Sequence, residues 1–84
     1  MAKNERQKRW LGEVVKSFEG DEFTSLDVLE AWPSVIGPRY VPSRNEVQML
    51  LKRFRSKLGI SVVGELPTST DNGSRYVLLL YAED

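Results

Sequence analysis

Between Ser43 and Gly59 the chain carries Arg44, Asn45, Gln48, Met49, Lys52, Arg53, Arg55, Ser56 and Lys57, with Glu46 as the only acid. Guanidinium and ammonium groups neutralise phosphates, and Asn or Gln amides can pair with the N6 and N7 edge of adenine. Met49 adds a polarisable apolar tip, of a kind that touches a thymine methyl or a protein surface. This is the chemistry of non-covalent recognition of a polyanion. The sequence holds no cysteine and no histidine, which removes disulfides, thiolate and imidazole ligands, and the usual nucleophile–base pairs. Neither enzymatic activity nor a cofactor is expected. Glu19, Asp21 and Glu22 form an acidic knot, but their spacing matches no calcium loop, and no metal site is expected.

Spacing supplies the elements that hold these groups. Val47, Leu50, Leu51, Phe54 and Leu58 recur at helical intervals and form one apolar stripe, so that Asn45, Gln48, Met49, Lys52 and Ser56 point the other way. Ser43 followed by Glu46 is a capping pattern, and a helix is predicted over 43–58. Arg44 falls in its first turn, where the helix dipole disfavours a cation by about 0.3–1 kcal/mol. Asn4 with Gln7 and Thr24 with Asp27 mark two earlier starts. The first helix is expected over 4–19, with Trp10, Leu11, Val14, Val15 and Phe18 on one side and Gly20 as its stop. The second is expected over 24–32, with Leu26, Val28, Leu29 and Trp32 inward, a Phe23–Val28 staple, and Pro33 ending it.

After Gly59 the period becomes strand-like, and a hairpin is predicted over 60–81 with strands at 60–65 and 75–81. Its turn-rich tip offers Thr68, Ser69, Thr70, Asn72, Ser74 and Arg75 as phosphate donors, although turn chemistry alone explains most of them. Residues 1–3 and 82–84 are read as flexible ends. At 84 residues the chain has room for one α+β domain of three helices and a two-stranded hairpin.

The 12 Lys and Arg balance the 12 Asp and Glu, and taken alone a zero net charge argues against a polyanion partner. The charges are nevertheless sorted. Residues 1–12 carry four basic and one acidic side chain, 13–30 one and six, 31–59 six and one, and 60–84 one and four. A dipolar surface is implied, with a basic face and an acidic back.

The order helix, short extended piece near 22–24, helix, helix, strand, strand resembles the winged helix-turn-helix family. Phe-Thr-Ser-Leu-Asp-Val-Leu at 23–29 and Leu-Leu-Lys-Arg-Phe-Arg-Ser-Lys-Leu-Gly-Ile at 50–60 carry the likeness, which spans 4–81. The resemblance implies that the third helix is a recognition helix, that the hairpin is a wing, and that the short extended piece pairs with the hairpin. It also brings Arg6, at the start of the first helix, and Arg39, in the linker, near the phosphate backbone. Two departures stand out. The linker 33–42 is ten residues long, where a tight helix-turn-helix uses roughly three or four, and an extra turn through Val35, Ile36 and Tyr40 is expected in it. The wing has Arg75 as its only basic residue, which disfavours deep minor-groove insertion.

Double-stranded DNA is therefore the expected partner, bound by a transcription regulator or chromosome-associated factor. Asn45, Gln48, Met49 and Lys52 would lie near bases, and Arg44, Arg53, Arg55 and Ser56 near phosphates. A protein–protein adaptor is the alternative that the neutral total favours, and RNA binding through Tyr40 or Tyr76 is a third. Val77, Leu78, Leu79, Leu80 and Tyr81 are apolar on both strand faces, from which a homodimer through Val77, Leu79, Tyr81 and the first helix is expected. No apolar run approaches the roughly 20 residues of a membrane span, no small-molecule substrate is evident, and a cytoplasmic or DNA-associated location is expected.

Overall fold

The computed structural model describes residues 3–69, 73 and 75–84, and the tip residues Thr70, Asp71, Asn72 and Ser74 lie outside the described residues. The elements run α1 (Lys3–Lys16), α2 (Ser25–Val35), a 3₁₀ turn (Pro38–Tyr40), α3 (Arg44–Phe54), β1 (Ile60–Ser69) and β2 (Arg75–Glu83). The α+β layout of three helices followed by an antiparallel hairpin is the one the sequence pattern predicts.

Cap chemistry sets the helix ends, with some corrections to the expected bounds. α1 begins at Lys3, which puts Asn4 inside its first turn, and stops at Lys16 rather than near 19. Past Lys16 the bonds tighten to the i−3 type, Phe18 N donating to Val15 O and Glu19 N to Lys16 O, both at 3.1 Å, and Glu19 and Gly20 take positive φ of 54° and 87°. At α2 the capping box forms in full: Asp27 N donates to Thr24 Oγ1 at 3.3 Å and Thr24 N to Asp27 Oδ2 at 2.9 Å. Pro33 does not end this helix. It lacks an N–H, but Ile36 N donates to Trp32 O at 2.8 Å and carries the helical path past it.

At α3 the hydroxyl half of the predicted box is present, Glu46 N donating to Ser43 Oγ at 3.2 Å. The regular helix ends at Phe54, four residues before the predicted limit of 58, and 55–58 continue as a turn. A Schellman closure ends it: Ile60 N donates to Arg55 O at 2.8 Å and Gly59 N to Ser56 O at 3.3 Å, with Gly59 at φ 69°.

The hairpin pairs from Ile60↔Glu83 to Ser69↔Arg75, longer than expected at both ends, with a bulge between Val62 and Gly64. Pro67 lies within β1, tolerable because that strand is an edge. The C-terminal residues are not loose: Ala82 and Glu83 belong to β2, Asp84 N donates to Gly59 O at 2.7 Å, and Ser61 Oγ donates to the Asp84 carboxylate. Phe23 and Tyr81 bridge antiparallel, which makes residue 23 a one-residue third strand beside β2.

Leu11, Val14, Val15, Phe23, Val28, Trp32, Val47, Leu50, Leu51, Phe54, Ile60 and Tyr81 form one buried cluster drawn from every helix and both strands. Trp10 is only half-buried, against Tyr40 at 5.3 Å between ring centroids. Trp32 is buried, with its indole Nε1 lacking an acceptor among the described residues. β2 packs on α2 and not on α1 among the described residues. Leu51→Ala, at a fully buried position, is expected to cost about 2–5 kcal/mol and Thr24→Ala about 1 kcal/mol, both read as shifts in the denaturant midpoint at unchanged slope.

Candidate nucleic-acid interface

α3 turns its apolar stripe inward, burying Val47, Leu50, Leu51 and Phe54. The 100° helical step then leaves Arg44, Asn45, Gln48, Met49, Lys52, Arg53 and Ser56 exposed, with Met49 retaining 69% of its surface. Arg55, just past the helix, is half-buried, and Lys57 is exposed. Lys52 and Arg53 occupy the last turn, where the helix dipole favours cations. The Arg53 guanidinium lies 5.6 Å from the Phe54 ring centroid, close enough for a cation–π contact that leaves the charge toward solvent.

Two depressions flank this outward side. One, of about 560 Å³, opens toward α1 and is lined by Gln7, Glu46, Met49, Leu50, Lys52 and Arg53. The other, of about 390 Å³, opens toward β2, with Gln48, Lys52 and Arg55 on the α3 side and Val77, Leu79 and Tyr81 across from them. Lys52 lines both, so α3 stands as a ridge with Lys52 on its crest. No acid from residues 13–30 lines either depression. Lys52, Arg53, Arg55 and Lys57 form no ion pair with an acid among the described residues, whereas Lys8 pairs with Glu5 at 3.3 Å.

The other predicted site residues are dispersed. Arg6 is exposed on α1, its guanidinium 5.7 Å from the Trp10 ring centroid, and borders a separate cavity of about 250 Å³ with Trp10, Trp32, Tyr40 and Glu46. Arg39 is exposed on the 3₁₀ turn and lines none of these three cavities. Arg75 opens β2 at the end of the hairpin away from the core. Of the expected homodimer contacts, Tyr81 is buried at 5% exposure, while Val77 and Leu79 remain open at 54% and 37%. Gln7 and Ser25 join the two depressions from α1 and α2. Only tertiary packing brings them there, and no spacing in the sequence signals it.

Burial pushes the Tyr81 phenol above its ordinary 10.0, and the positive charge of Arg55 partly offsets that rise. No known protein-family model, curated protein or solved structure matches this chain.

A raised phenol pKa means that the fold holds the neutral form more firmly than the unfolded chain does. The corresponding stability is complete below the ordinary value of 10.0 and is lost as pH rises through the folded value. Denaturant midpoints followed upward from pH 10.0 should therefore fall more steeply for the wild type than for Tyr81→Phe. Arg55→Ala should move the phenol further up, as read by the Tyr81 ring resonances.

Proposed function

We propose that the chain is a winged-helix module that binds double-stranded DNA through α3, without catalysis, as a transcription regulator or chromosome-associated factor. The observation that carries this reading is the ridge: an exposed helix face of amides and cations, with Glu46 as its acid, bordered on both sides by depressions that no acid of residues 13–30 lines. A ridge one helix wide fits a major groove about 12 Å across, and the depressions on either side leave room for the two phosphate strands.

In this arrangement Asn45, Gln48, Met49 and Lys52 face base edges. Arg53 and Arg55, on opposite sides of the crest, meet phosphates of opposite strands, with Arg44 and Ser56 extending the contacts along the groove. Arg6, Arg39 and Arg75 are peripheral and supply charge at longer range. The acidic side chains of 13–30 form the far side of the dipole and orient the approach.

If about four cations meet phosphates, log affinity against log salt falls with a slope of about −3 to −4. Changing Lys52 and Arg55 together to Ala is expected to flatten that slope by about 2 while leaving the melting temperature nearly unchanged, because neither side chain is in the core. Titration of random-sequence duplex at two salt concentrations, with amide shifts followed along α3, checks both. Binding that is indifferent to the double substitution would remove this face from consideration.

A further inference from the structure

The depression between α3 and β2 has two chemically different walls, and a sugar–phosphate strand uses only one of them. On the α3 side Gln48, Lys52 and Arg55 present an amide and two cations. On the β2 side Val77 and Leu79 line it at 54% and 37% exposure, beside the buried Leu78 and Tyr81, and Ser25 of α2 completes the lining. Glu65 pairs with Leu79 in the hairpin but does not line the depression.

We propose that this groove is a docking site for a short acidic segment of a partner protein that carries apolar side chains on one side and carboxylates on the other. Charge complementarity sets the acidic side against Lys52 and Arg55. The apolar side covers Val77 and Leu79, which otherwise stay in water. Two same-face residues of a strand stand about 6–7 Å apart, a spacing that an extended pair at i, i+2 or a helical pair at i, i+4 both match. The volume of about 390 Å³ lies at the low end of the range of small-molecule pockets, room for a pair of anchoring side chains.

Lys52 and Arg55 belong to both this groove and the α3 ridge, so the segment and a DNA duplex compete for them. The partner is thereby a regulator of the same face. The inference itself rests on the groove and stands whether or not DNA binds.

The probe is a short fluorescein-labelled synthetic peptide alternating glutamate with leucine and phenylalanine, read by anisotropy against the full chain. A control peptide has glycine in place of every apolar residue. The first peptide is expected to bind and to displace duplex DNA, and the control to bind at least about tenfold more weakly. Val77→Ser with Leu79→Ser should weaken the first peptide by about tenfold or more and leave duplex affinity essentially unchanged, while a cooperative melting transition shows that the variant remains folded. Equal binding of the two peptides, or indifference to the double serine variant, overturns the proposal. A concentration-dependent dimer that the same variant dissolves also overturns it, by giving the groove to a second copy. Peptide binding without duplex binding leaves the groove proposal intact and removes the DNA reading; the reverse pattern does the opposite.

Discussion

Phe23 and Tyr81 exchange two backbone hydrogen bonds, at 2.9 and 2.7 Å, and this joint is where the hairpin is fastened to the helices. Rings reinforce it: Phe18, Phe23 and Tyr81 follow one another at centroid distances of 4.9 and 5.9 Å. An isolated two-stranded hairpin is marginal in water, and among the described residues β1 pairs only with β2. The bridge supplies the fragment of a third strand that anchors β2, and Tyr81 inserts from there into the core. Every property of the groove between α3 and β2 depends on this fastening, because it fixes the distance between a cationic helix and an apolar strand.

The second organising constraint is the sorting of charge. With as many acids as bases, the molecule has no long-range attraction to a polyanion as a whole. What it has is a local field. Two acids of α1 and α2 are engaged locally, Glu5 with Lys8 and Asp27 on its own cap. α3 carries its own acid, Glu46, which lines the depression on the α1 side. The outward face of α3 is in consequence asymmetric, with an acid toward α1 and, toward β2, Lys52 and Arg55, which pair with no acid among the described residues.

Much of this architecture is readable in the chain because local chemistry and tertiary need coincide. The apolar stripe of α3 is buried as its spacing demands, and Thr24 with Asp27 closes the box that their separation predicts. Where boundaries were misjudged, backbone bonds outvoted a local signal, within the helix at Pro33 and between elements at 82–84. Pro33 stays within α2 although proline usually ends a helix, and residues 82–84 are held by pairing with the start of β1 rather than fraying. The linker does contain an extra turn, but it forms at Pro38–Tyr40, because Val35 belongs to α2 and Ile36 caps that helix. The site is readable only as a helix face. That Val77 and Leu79 would stand across from Lys52 and Arg55 depends on the packing angle of the hairpin, which no single segment encodes.

The outer edge of β1 has its own logic. Ten residues of strand with exposed Val62, Val63 and Leu66 would ordinarily template the addition of another chain. Three features blunt it: the bulge at Val63 breaks the even ladder, Pro67 withholds a donor, and exposed Glu65 sets a charge along the rim. The hairpin can thus display greasy side chains on its faces without inviting runaway fibre growth along its backbone, and a visitor must come side chain first.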